Sequence, residues 1–270
     1  MIYGFLNINK PKGITSFDVI RRLRRITGIK KMGHLGTLDP IAQGVLVVAV
    51  SEATKLIEFL MKANKSYIGT MFLGAASSTY DSEGELTNYS KKVPELIEIK
   101  KALDDFIGEI DQIPPKYSAI KINGKRAYDL ARKGEEFEIK SRKVVIHNIE
   151  IIKYDYPNLT IRVDCGSGTY VRSLMNDLGN KINTGAYMVD LNRTRVGNFN
   201  LNDSVTLNEI EEKGIESTII PVESILKDFS TINLSEEEVE KLGFGQTIPH
   251  KIIENSVEIF FGIFNDKIVG

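Results

Sequence analysis

Gly33-His34-Leu35-Gly36-Thr37-Leu38-Asp39-Pro40, followed within five residues by Val45-Leu46-Val47-Val48-Ala49-Val50, is the stretch on which the reading of this chain turns. An uninterrupted apolar run bounded by turn residues reads as a strand buried on both faces. The polar octet is therefore tied directly to a core element. An imidazole and a carboxylate held beside a rigid core form a pattern that suits chemistry or recognition better than a loose surface loop does.

The rest of the composition sets bounds. The 270 residues, 42% apolar and 26% charged, suit one large domain with at most a small appendage. Cys165, the one cysteine, excludes an internal disulfide and a cysteine-cluster zinc site and suits a reducing cytosol. No segment approaches the ~20 apolar residues of a membrane span, so the expected location is cytoplasmic. The net charge of -1 conceals segregation: residues 1–34 carry a net +7, residues 116–133 a net +5 and residues 201–270 a net -9. Each basic cluster taken alone reads equally well as a solvated helix face. Together they suit a polyanionic partner.

Along the chain, strands and helices alternate without regular βαβ repeats, which predicts an α+β fold with a mixed or antiparallel sheet. Strands are expected at Tyr3–Ile8, Val45–Val50, Lys65–Leu73, Lys143–Tyr154, Leu159–Cys165 and Met188–Val196. Thr15 or Ser16 caps a basic helix to about Ile26, and Ser51 caps another to about Met61. Further helices are expected at Leu96–Ile107 and from the Gly166–Arg172 turn to about Lys181, with a polar loop at Thr79–Gly84. Tyr117–Arg132 reads as a strand, an Asn123-Gly124 turn and a short helix. A composition shift at Asp228–Leu234 sets off an acidic helix, Ser235–Leu242, and two short strands.

Several chemistries lack their motifs. There is no phosphate-binding GxxxxGK[ST] loop, no GxGxxG, no GxSxG elbow and no paired-histidine metal motif. Carboxylate, tyrosine and arginine remain. Asp39 before Pro40 also reads as a plain helix start, the carboxylate capping free N–H groups. His34 reads equally as a loop histidine, and Tyr67 as a core aromatic. Arg172 is less easily dismissed. A cation in the first turn of a helix is unfavourable by roughly 0.3–1 kcal/mol unless an acid offsets it, and Asp39 is the obvious candidate.

GHLGTLDPIAQGVL resembles the catalytic motif of the bacterial TruB family, tRNA pseudouridine synthases acting on the T loop. Four further segments share the resemblance in order: Asn9–Gly13 (KPxG), Lys65-Ser66-Tyr67, Gln112–Ala119 with Gly124–Tyr128, and Cys165–Arg172 (GTYxR). The five motifs span about residues 9–195. The resemblance implies a pseudouridine-synthase fold: a mixed, mainly antiparallel central sheet flanked by helices, with a small C-terminal PUA-like appendage. It implies a catalytic domain over residues 1–232, a thumb-like RNA-binding insertion at about 112–142, and a short or incomplete PUA-like region over 233–270.

For the site, the resemblance implies that Asp39 is the nucleophile and that Arg172 lowers its pKa and orients it. Tyr67 stacks on the extruded base and helps move a proton, Tyr170 walls the pocket, and His34 fills space left in the opened loop. Lys10, Gly33 and Tyr117 are expected to touch the RNA. The expected substrate is the tRNA T arm, with no cofactor, metal or membrane, and a monomeric protein. Two other readings share these motifs: a tRNA-folding protein without turnover, and a guide-RNA-dependent homologue. The presence of a nucleophile, a tyrosine and an arginine favours catalysis.

Overall fold

In the computed structural model, which describes residues 2–87, 89–122, 124–228, 230–249, 260–265 and 267–269, the core is a nine-stranded sheet. Its strands are β1 (Gly4–Lys10), β2 (Met32–His34), β3 (Ala42–Val50), β4 (Lys65–Leu73), β5 (Gly108–Gln112), β6 (Arg142–Asp155), β7 (Asn158–Cys165), β8 (Ala186–Val196) and β9 (Phe199–Asn200). The main path runs β1-β3-β8-β4-β7-β6-β5, with β2 on β3 and β9 on β8. Only the β3–β8 pairing is parallel. The expected α+β architecture with a mixed, mainly antiparallel sheet is what the chain adopts.

The apolar run of β3 is explained by cover on both faces. Leu46, Val48 and Val50 pack with Leu6, Ile8 and the helix α1 (Ser16–Thr27) through Val19, Ile20 and Leu23. The alternate residues Val45, Val47 and Ala49 pack with Phe5, Leu35 and Ala53. A strand buried on both faces has no polar face to display, so the period-two pattern vanishes. The helices α2 (Leu96–Asp104) and α3 (Val171–Lys181) cover the other half of the sheet, where Ile99, Leu103, Leu174 and Leu178 meet Met71, Ile161 and Met188. Each such fully buried aliphatic side chain is worth roughly 1.5–3 kcal/mol.

Local chemistry sets the ends of α1. Thr15 accepts from the Asp18 N–H while Asp18 accepts from the Thr15 N–H, a reciprocal capping box, and Gly28 ends the helix at φ 72°. Ser16, the other expected cap, has a different task. Its hydroxyl accepts from the Leu38 N–H (2.8 Å) and donates to the Leu38 carbonyl (3.0 Å), pinning the residue before Asp39.

Two expectations are corrected. Asp39-Pro40 does not start a helix: the chain turns and enters β3 at Ala42, whose N–H donates to the Asp39 carbonyl at 3.0 Å. Aspartate and proline are as much turn formers as helix starters, and the β3 pairing decides between them. Ser51 is not a cap either. It lies at φ 55° inside a 3₁₀ stretch, Ser51–Leu56, that precedes a single α-turn, Ile57–Leu60.

Residues 113–141 project from the sheet as a two-stranded ribbon (Lys121–Ile122 with Lys125–Arg126) and a helix, Ala127–Arg132. Asn123 of the expected turn lies outside the described residues. In the C-terminal region, Ser230–Asn233 pairs in parallel with Phe260–Phe264, which pairs antiparallel with Lys267–Ile268. The helix Glu236–Gly243 is capped by Ser235, and Phe261 packs edge-on against Phe59 with ring centres 6.0 Å apart. Residues 250–259 of the expected PUA-like region lie outside the described residues. No helix among the described residues is long and apolar enough to cross a membrane.

Candidate active site

Arg172, the second residue of α3 and 4% exposed, organises the candidate site. Its guanidinium faces Asp39 with two nitrogens: Nη2 donates to Oδ1 at 3.4 Å, and Nε lies 3.2 Å from Oδ2 as an ion-pair contact without hydrogen-bond alignment. Nη1 donates to Asp81 Oδ2 and to the Thr79 carbonyl, both at 3.2 Å. Nη2 also donates to the Tyr117 carbonyl at 2.7 Å. One planar fork therefore ties together the turn before β3, the polar loop after β4, the segment around Tyr117 and α3. Arginine suits this because its five donors are fixed in one plane. The two carboxylates also offset the cost of placing a cation in the first turn of α3.

Asp39 keeps a third of its side chain open to solvent, at the mouth of this network. Burial raises its carboxyl pKa from the ordinary value, Arg172 pulls it back, and the Asp81 carboxylate raises it again. Arg172 therefore lowers the value as expected, against a larger effect of burial. The remaining exposure moderates the shift.

Asp81 is the residue that sequence reading missed. Only the polar-loop signal, TYDSEG, marked it. It is 3% exposed, and every partner of its carboxylate is a donor: Arg172 Nη1, the Glu83 N–H (3.1 Å) and the Thr79 hydroxyl. In Asp81→Asn, the new NH₂ would have to face one of these donors. We expect a loss of about 1–3 kcal/mol in stability and a roughly tenfold fall in turnover as Arg172 drifts from Asp39. Thermal denaturation and single-turnover kinetics check this, and an unchanged rate would remove Asp81 from the site.

Tyr67 lies on β4, 7% exposed, packed with Leu38, Val171 and Leu191 in one apolar cluster. Burial pushes its phenol pKa up and the Arg193 guanidinium pulls it down. His34 ends β2, and burial followed by the charge of Arg193 lowers its pKa, which favours the neutral ring. Its Nδ1 is buried without a hydrogen-bond partner among the described residues. Tyr170 caps α3 and is clipped by Gln112, its N–H donating to Oε1 at 2.8 Å and its carbonyl accepting from Nε2 at 3.0 Å. Arg142 stacks over its ring at 4.9 Å. Tyr117 meets Arg172 through its carbonyl, leaving a partly exposed ring at the thumb base.

Lys10 is corrected. Expected at the RNA surface, it is wholly buried, its ammonium donating to the carbonyls of Ala42 (2.7 Å) and Pro11 (3.0 Å). Burial lowers its pKa to about 8, with Asp39 opposing. It braces the turn behind Asp39 and is out of reach of phosphate. At Gly33 an added Cβ would come 2.6 Å from the terminal methyl of Ile57, which would have to move aside. Among the described residues, no group of three or more His, Cys, Asp or Glu is placed to hold a metal ion.

The family model described as TruB family pseudouridylate synthase (N terminal domain) matches residues 24–171, and that described as tRNA pseudouridylate synthase B C-terminal domain matches residues 172–227. The tRNA pseudouridine synthase B of Clostridium kluyveri is 43% identical over 245 residues, covering 91% of this chain and 85% of that protein. Its counterpart in Clostridium acetobutylicum is 46% identical over 239 residues, covering 88% and 82%. Among solved structures, a crystal structure of a Cbf5–Nop10–Gar1 complex matches with a TM-score of 0.75 at 26% identity, covering 98% of this chain and 76% of that chain.

Proposed function

The chain belongs to the TruB family of pseudouridylate synthases, and on that premise we propose that it isomerises a uridine in the T loop of tRNA with Asp39 as nucleophile. It is an isomerase acting on tRNA. The observation that carries the site assignment is the two-nitrogen approach of Arg172 to Asp39, 3.2 and 3.4 Å, which fixes a partly open carboxylate against a buried cation. That arrangement holds an ionised nucleophile in one orientation.

The reaction needs no external group. The N1–C1′ bond breaks, the uracil turns, a C5–C1′ bond forms, the C5 proton leaves and N1 takes up a proton. A stacked loop hides both reacting carbons, so the uridine must first be flipped out at a cost of a few kcal/mol. Stacking on Tyr67 returns about 1–3 kcal/mol of that. Arg172 orients Asp39, and Asp81 holds Arg172. His34, neutral and with an unpaired ring nitrogen, fills the opened loop. Tyr170 and Tyr117 wall the pocket from α3 and the thumb. The basic residues of α1 and of the thumb contact phosphates, and the described residues after 232 belong to a PUA-like appendage to the catalytic domain.

The guide-RNA-dependent reading is disfavoured by degree of likeness: identity is 43–46% to tRNA pseudouridine synthases B and 26% to the Cbf5 complex. The substrate assignment has a direct check. A T-arm stem-loop transcript should be converted, as detected by carbodiimide labelling and primer extension, and should become inert when its T-loop uridines are replaced by cytidine. Conversion at a uridine elsewhere in tRNA would overturn the T-loop assignment while leaving the isomerase intact.

A further inference from the structure

We propose that Arg193 is a positioning residue for the reaction, fixing the Tyr67 hydroxyl with its proton directed into the base pocket. The inference rests on the reading of Tyr67 given above and concerns a residue outside the motifs that mark the family resemblance.

Arg193 is 1% exposed and is among the largest wholly buried side chains of the molecule. On β8 it lies directly opposite Tyr67 of β4 on one side and Gly44 of β3 on the other. Its Nε donates to the Val45 carbonyl at 2.7 Å and its Nη2 to the Gly36 carbonyl at 3.1 Å. The fork therefore grips the middle of the octet and the strand that follows it. A glycine is needed at position 44 because a Cβ there would come 2.3 Å from the Arg193 carbonyl oxygen. Direct cross-strand pairing sets the Arg193 and Tyr67 side chains next to each other on one face of the sheet, close enough for the guanidinium to pull the phenol pKa down. Among the described residues no carboxylate lies within ion-pair distance of it, whereas Arg172 has two.

A guanidinium buried without a counter-ion is costly, by several kcal/mol for an ion after relaxation. Packing alone would be served better by an aliphatic residue. The chemistry of the two groups says what the cation does. Guanidinium has five donors and no acceptor. A phenol that meets it can only accept, so its own O–H is left to donate to a base stacked on the ring. Offset stacking leaves the hydroxyl at the edge of the base rather than beneath it. Whether Asp39 attacks the base or C1′, electrons move onto the uracil oxygens as the glycosidic bond breaks. A fixed donor at that edge stabilises the developing charge without reorganising.

The test is a double-mutant cycle on the full chain with a tRNA transcript, reading single-turnover rate, RNA Kd and Tm for wild type, Tyr67→Phe, Arg193→Met, Arg193→Lys and the two double variants. Arg193→Met should slow the rate by about 100-fold with Kd changed less than about threefold. Arg193→Lys, which keeps one buried donor, should recover at least tenfold of that. Either Arg193 change should slow Tyr67→Phe by less than about threefold, because the hydroxyl it acts through is gone. Equal slowing in both backgrounds would overturn the proposal and make Arg193 a brace for the sheet. So would a Lys variant that folds but is as slow as Met. If Arg193→Met fails to fold, the Lys cycle decides alone. A wild type without turnover would sink the functional reading itself and is seen in its own arm.

Discussion

Asp39→Asn loses turnover by roughly 10⁴-fold or more and keeps its affinity for tRNA. Asparagine preserves the shape of the side chain, and its carbonyl oxygen can still accept from Arg172. It cannot form the covalent bond, because an amide nitrogen and oxygen are both poor nucleophiles. Affinity should hold because the RNA is gripped by phosphate contacts from the basic faces of α1 and the thumb. The partly open Asp39 carboxylate contributes only at the flipped base. Kd by filter binding and multiple-turnover kinetics on the same transcript separate the two. A fall in affinity matching the fall in rate would assign Asp39 to binding. The salt dependence of Kd should be unchanged by the substitution, since no phosphate contact is removed.

Arg172→Met carries the second large effect, on both rate and fold. The guanidinium contacts the Asp39 and Asp81 carboxylates and the carbonyls of Thr79 and Tyr117. Its loss leaves two carboxylates without the cation they share, and breaking a buried ion pair from one side costs about 3–5 kcal/mol. The sign of the pH effect follows from the groups acting on Asp39. Arg172 lowers its pKa, while burial and Asp81 raise it. Removing Arg172 therefore raises the pKa further, and the acid limb of kcat/KM should move to higher pH as kcat falls by about 10²–10³-fold. The lower Tm and the shifted limb must appear together. A lower Tm with an unmoved limb would mean that Arg172 serves the fold alone. Arg172→Lys should recover stability better than rate, since a point charge cannot hold the two-nitrogen geometry at Asp39.

Much of this architecture was legible because the signals were local. The apolar run of β3 and the strand Lys65–Leu73 needed only periodicity and turn residues, and the glycine turn before α3 placed Arg172 in the first turn of a helix. The pairing of Arg172 with Asp39 was legible as an unfavourable charge in want of an acid. Asp81 was not, because a carboxylate in a run of polar loop residues looks like any solvated turn. Its burial is created by α3 packing over the loop from 91 residues away in sequence. Arg193 was hidden for another reason. The strand β8 carries irregularities between Met188 and Asp190 and between Arg193 and Arg195, which shift the inward face so that counting in twos loses it. Lys10 left a signal that was overlooked: it continues the Leu6, Ile8 alternation of β1 and so points into the core. Its charge was read as surface charge, whereas backbone carbonyls receive it.

The central claim is that this chain breaks and remakes the bond between uracil and ribose through Asp39. Release of tritium from tRNA carrying 5-tritiated uridine reports that event directly, because the C5 proton departs only when C5 has become the point of attachment. Wild-type protein should release up to one tritium per tRNA, above any background at other uridines, with no free uracil formed, and Asp39→Asn should release none above the protein-free control. No release by the wild type, or equal release by wild type and Asp39→Asn, would contradict the account.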